Sequence, residues 1–170
     1  MDRQAVHEQW EQDRAVFHKL VAAATAADLR RRSRGTRWTN QQLLFHLVFG
    51  YQIVRALLVL VRVFGHLPDP VSRAFAAALN AATPPFHVIN YLGSCGGGLI
   101  GPRRAARWLD RIIASLHRSL DRAGDANLRR GMHYPVRWDP FFQPYMTLAD
   151  VYRYPARHFA FHQDQLTLGR

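Results

Sequence analysis

The sequence predicts an all-α fold, an antiparallel four-helix bundle with a long crossover connection between its second and third helices. Four long stretches repeat apolar residues at spacings of three, four and seven, the period of one helix face. No stretch alternates in the period-two manner of a half-buried strand, and no internal repeat of roughly 20–50 residues is present. The 170 residues are 48% hydrophobic and 12% aromatic. That is material for one domain core over residues 1–170, and too rich in core formers for a disordered chain.

The first helix is expected over about residues 3–28, with Val6, Trp10, Phe17, Leu20, Val21 and Ala24 on one face. His7, Glu11, Arg14 and His18 form the opposite polar stripe, where both histidines are expected to face solvent. The run Arg30, Arg31, Arg32, Arg34 then reads as a solvated loop. Thr39 or Asn40 caps a second helix reaching about Phe64, with Leu43, Leu47, Val54, Leu57, Leu58 and Val61 inward. His46 lies on that buried side, beside Leu43, Leu47 and Gly50. An imidazole there needs a partner, because an unpaired buried polar group costs about 1–3 kcal/mol.

Pro68, Pro70, Pro84 and Pro85 break the pattern that follows. A long crossover with one short helix, about residues 71–82, is the expectation. The run Gly93-Ser94-Cys95-Gly96-Gly97-Gly98 lacks the Gly-Lys-Ser/Thr ending and the preceding strand of a phosphate loop, so it reads as a flexible loop at the border of the site. The third helix begins at Pro102, suited to a first turn, and runs to about Ala123 with Ala105, Trp108, Leu109, Ile112, Leu116 and Leu120 inward and Gly124 as terminator. Residues 124–146, with Gly131, Pro135, Pro140 and Pro144, read as an irregular connection. Thr147 and Asp150 have capping-box spacing for the last helix, whose inner face carries Leu148, Val151, Pro155, His158, Phe159, His162 and Leu166. Pro155 is expected to kink it.

Charge and cysteine usage exclude several classes. The net charge of +11 is almost all arginine, with Lys19 the sole lysine. Together with abundant alanine this is the skew of GC-rich coding, so a nucleic-acid partner is the least favoured reading. A lone Cys95 rules out an internal disulfide and a cysteine zinc knuckle, and reads as a free small residue. Residues 1–11 are polar and carry no secretion signal, which points to the cytoplasm. His46, Gln52, Arg55 and Arg62 interrupt the most apolar window, residues 43–65, so a buried helix is expected there and no membrane partner.

His158 and His162 are four apart, which stacks their rings on one helix face within reach of a shared ion. With nine histidines in the chain, such a pair arises easily by chance, and two core-edge histidines bonded to neighbours is the plain alternative. His46, facing the same core from another helix, makes the set significant. Three neutral imidazoles with a fourth position open is how catalytic divalent metals are commonly held. His46, His158 and His162 are therefore the candidate ligands, for zinc or nickel first and iron or manganese next. His87 and His133 are candidates to line a pocket or supply a proton. Trp38 reads as packing, and Tyr152 and Asp164 point aside.

The order of these motifs resembles the DinB/YfiT-like metal-dependent proteins. The resemblance rests on Trp38-Thr39-Asn40 leading into Leu43-Leu44-Phe45-His46-Leu47, on the long connection and third helix, and on Thr147-Leu148 leading into His158-x-x-x-His162. It implies a four-helix bundle with a long crossover, the three histidines as ligands, a homodimer, and an activity class that includes transferases and isomerases acting with low-molecular-weight thiols. A bound cation would lower the pKa of a coordinated thiol or water. Pro155 and the glycine-rich crossover depart from the family pattern. Two readings stand beside a thiol S-transferase or hydrolase acting on a small-molecule substrate: a non-catalytic metal-binding or stress-response bundle, and a basic nucleic-acid-binding module.

Overall fold

The computed structural model describes residues 1–169, and helices make up 71% of the chain. In chain order these are α1 (Arg3–Ala23), α2 (Ala26–Arg30), α3 (Asn40–Phe64), α4 (Asp69–Ala81), α5 (Thr83–Cys95), α6 (Pro102–Asp121), α7 (Asp125–Leu128) and α8 (Leu148–Gln163). A 3₁₀ turn, Gly96–Gly98, follows α5, and two short strands, β1 (Gly131–His133) and β2 (Tyr145–Thr147), precede α8.

Reciprocal caps set three of the helix starts. In each, a threonine hydroxyl accepts from the amide three residues on, and the side chain there accepts from the threonine amide: Thr25 with Asp28, Thr39 with Gln42, Thr147 with Asp150. The first of these boxes was not anticipated. It ends α1 at Ala23 and starts α2 where the sequence pattern suggested one helix over 3–28.

The long helices α1, α3, α6 and α8 share one core built on Trp10, Phe17, Leu47, Tyr51, Leu109, Ile112, Leu116, Val151 and Phe159. α3 packs on α6 and α8, and α1 packs on the same two. Arg3 at the start of α1 donates to the carbonyls of Leu120 and Ala123 at the end of α6, and His18 meets Asp110, so α1 and α6 run antiparallel. α3 and α8 are antiparallel too, with His46 beside His162 and Arg62 donating to the Tyr152 hydroxyl. α3 and α6 run the same way, since Phe45 meets Trp108 and Arg62 meets Ser119. α3 is long and apolar enough to cross a membrane, yet most of its apolar window is buried against its neighbours.

Several expectations are corrected. His7 does not face open solvent: it is half-buried, stacks on His117 with ring centroids 4.4 Å apart and bonds Asp121, whereas His18 is exposed. The polar stripe of α1 is a seam against α6. Two strands occur where only irregular chain was foreseen, pairing Met132 with Met146 in antiparallel register; at three residues each they are too short for period-two alternation to register. The glycine-rich run is ordered as the end of α5 and a 3₁₀ turn. Gly97 is buried against Phe45 and the backbone of Gln41, and its carbonyl accepts from Gln41 Nε2 at 2.9 Å. α8 ends at Gln163, with Pro155 inside it, so Leu166 packs on the core from beyond the helix end and not from its inner face.

Candidate metal centre

His46 sits near the start of α3, and His158 and His162 sit on the last turns of α8. Because these helices are antiparallel, the three rings meet at one end of the core. Their centroids lie 4.9 Å (His46 to His158), 4.6 Å (His46 to His162) and 4.5 Å (His158 to His162) apart, and one nitrogen from each falls within 4.8 Å of the others. His46 and His158 are buried, and His162 is partly so. This group can hold a metal ion.

The hydrogen bonds fix which nitrogen is available. The Ser94 hydroxyl at the end of α5 gives its single proton to the Asn90 carbonyl at 2.8 Å, so its oxygen accepts from His46 Nδ1 at 2.9 Å. Gln165 Oε1, an acceptor, lies 2.7 Å from His162 Nδ1. Both rings then carry their proton on Nδ1 and present a lone pair at Nε2. Those two Nε2 atoms face each other at 3.2 Å. Two bare acceptors that close repel unless a cation lies between them. The spacing matches two imidazoles on one tetrahedral ion, where N–metal bonds of about 2.05 Å put the nitrogens about 3.3 Å apart.

Electrostatics keep the rings unprotonated. Burial, then the nearby His162, pulls His46 down to about 3. Burial pulls His158 well below the ordinary imidazole value, helped by His46 and His162, and it lowers His162 against the opposing influence of the Gln165 bond and the Asp139 charge. A neutral imidazole is the ligating form.

Gly50, one helical turn beyond His46, makes room for the third ring. A Cβ there would overlap Nδ1 and Cε1 of His158.

A family comparison places residues 9–166 within the DinB superfamily. The chain belongs to the DinB superfamily. Neither a curated protein nor a solved structure gives a match.

In this DinB-superfamily chain the three rings open onto a cavity of about 360 Å³. Its walls are mostly apolar and aromatic, among them Phe49, Ile53, Phe75, Phe86, Trp138 and Phe141, and among the described residues no arginine or lysine lines it. Trp38 does more than pack at the helix entrance: its ring lies 4.4 Å from that of His46 and it lines the cavity. His87 lines the cavity as well, while His133 is turned to Asp69 and the Pro144 carbonyl and does not. Cys95 is partly buried and also lies outside the lining; its neighbour Ser94 is the residue that meets His46. Tyr152 bonds Ser119 and Arg62, away from the site.

Sequence reasoning missed Ser94, Gln165 and Asp139. Asp139 is the one carboxylate on the cavity walls and accepts from the Tyr154 hydroxyl at 2.8 Å and the Phe141 amide at 2.8 Å. Only the Gln165 spacing, three residues after His162, offered a signal.

The lowered histidine values make folding pH-dependent. Unfolded imidazoles take up protons near their ordinary value of 6.5, whereas folded His46 resists until about 3, His158 is held well below 6.5 and His162 is lowered in the same sense. Stability is therefore full above about pH 6.5 and is lost as pH falls below it. Asp13, raised to about 6 by burial against the opposing Tyr51 and Gln9 bonds, acts in the reverse sense between about 6 and 3.8. Three groups outweigh one. The metal-free protein is expected to lose on the order of 2–4 kcal/mol between about pH 6.5 and 4.5, read as a falling urea midpoint; a flat profile would show that the rings are not buried as described.

Proposed function

We propose that the chain is a divalent-metal-dependent enzyme whose metal is held by His46, His158 and His162, on a four-helix bundle with a long crossover over residues 65–101. The observation that carries this reading is the pair of Nε2 atoms 3.2 Å apart, each on a ring whose Nδ1 meets its own oxygen partner. With zinc or nickel bound, or iron or manganese, the site would supply a Lewis acid that lowers the pKa of a coordinated water or thiol. The reaction class that fits is S-transfer with a low-molecular-weight thiol, or hydrolysis.

The chain's own residues do the rest. Aromatic walls exclude water from the reacting groups. Asp139, steadied by Tyr154, is the proton acceptor within reach of the cavity. Trp38 and Tyr134 also line this space, and the Tyr134 hydroxyl and Trp38 Nε1 are buried without a hydrogen-bond partner among the described residues. With no arginine or lysine on the walls among the described residues, a substrate or thiol bearing several carboxylates is poorly matched. An uncharged body with one donor group for the metal suits the cavity. The exposed Val88, Ile89 and Leu92 on α5 favour a homodimer, and the cytoplasm is the proposed setting.

Elemental analysis of untagged protein is expected to find about one divalent ion per chain. His158→Ala should keep the helical circular dichroism signal and lose the ion. Wild-type protein without stoichiometric metal, or a variant that retains it, overturns the reading. Full metal content with no turnover of any thiol or ester substrate would favour the non-catalytic alternative.

A further inference from the structure

The opposite end of α3 carries a second concave site. Arg62 stands sixteen residues beyond His46 on the same helix, about 24 Å along its axis. There the last turns of α3 and α6 and the chain before β1 enclose a cleft of about 630 Å³, within the size range of small-ligand sites. Arg62, Arg118, Arg122 and Arg130 line it together with His66, and no lining residue is a carboxylate.

The charge of these side chains is left uncompensated. Asp121 and Asp125, the nearest carboxylates in sequence, are engaged by His7 and Arg3 of α1. Arg62 donates to the hydroxyls of Ser119 and Tyr152, and Arg130 donates to His66 Nε2, so both guanidinium groups are steadied by neutral acceptors. Arg118 and Arg122 form no ion pair among the described residues. One cation at a helix C-terminus offsets the helix dipole. That accounts for Arg62 on α3 and Arg118 on α6, and leaves Arg122 and Arg130 converging on the same space. Like charges lining a concavity with low-dielectric walls repel one another and focus a positive potential, which a bound anion relieves.

We propose that this cleft binds a small soluble ligand carrying two or more phosphate groups. The guanidinium fork matches phosphate oxygens two at a time, and four such groups exceed what a single phosphate can neutralise. Ser115, Ser119 and Asn127 supply further hydrogen-bonding groups on the walls. The proposal does not depend on the metal reading.

Calorimetric titration of the full chain with pyrophosphate at low ionic strength tests it, with inorganic phosphate as the single-phosphate comparison. Pyrophosphate is expected to bind at least tenfold tighter than phosphate, with affinity falling as salt is raised. The double variant Arg118→Gln/Arg122→Gln, both exposed, one in the last turn of α6 and one just after it, should weaken binding at least tenfold with unchanged circular dichroism. If that variant fails to fold, Arg130→Gln carries the same expectation. Absence of pyrophosphate binding by wild-type protein overturns the proposal. So does equal binding by wild type and variant, which would place the anion on a metal ion elsewhere. Duplex DNA binding that pyrophosphate fails to displace would likewise overturn it in favour of a nucleic-acid face.

Discussion

Gly50→Ala is expected to remove stoichiometric metal while leaving α3 helical. On an ordinary helix the change would stabilise by about 1 kcal/mol, because alanine has less backbone freedom to lose. Here the added methyl would occupy the place of the His158 ring. Either the ring rotates away from His46 and His162, or α8 shifts outward from α3, and overpacking of this kind costs about 1–3 kcal/mol. Displacing a ligand by even an ångström spoils coordination, so metal affinity should fall by about 100-fold, the upper end of the range for losing a ligand's orientation. Metal content after dialysis and the thermal midpoint of the metal-free protein read the two effects separately. Retention of a full complement of metal would mean that the ring does not rest on Gly50.

Trp10→Ala should give the largest loss of stability. Trp10 is fully buried where α1 meets α6 and α8, with His7 and His117 edge-on to its ring and Tyr152 tilted beside it. Truncating a buried tryptophan costs about 3–5 kcal/mol, a large share of the roughly 5–15 kcal/mol by which domains are stable. At this chain length that corresponds to a thermal midpoint lower by about 10 °C. A change under about 1 kcal/mol would show that the core closes without α1. Metal binding in any variant that still folds should persist, since α1 contributes no residue to the three-histidine group.

The long helices and the three rings were legible in the sequence for one reason. Periodicity reports which face of a helix is buried, and an imidazole on a buried face demands a partner. His46 beside Leu43 and Leu47, and His158 beside Phe159, could be read in that way. What escaped notice depends on contacts between segments far apart in the chain. Ser94 lies forty-eight positions from His46 and inside a glycine-rich stretch with no helical pattern of its own; it is ordered because Gly97 can press flat on Phe45. The α1 seam was misplaced because His7 and His18 look polar from their own helix, and only α6 supplies Asp110, His117 and Asp121 to meet them. Asp13 was missed for the same reason: its buried carboxylate accepts from the Tyr51 hydroxyl at 2.6 Å, across two helices.

The bond from His46 to Ser94 reaches outside the four long helices. Transplanting the three histidines onto a bare helical scaffold would copy the ligands and lose the instruction that tells His46 which nitrogen to keep bare. On the proposed metal reading, changes confined to residues 83–98 would alter the site without touching any of its three histidines, which makes this stretch the natural place for engineering to begin.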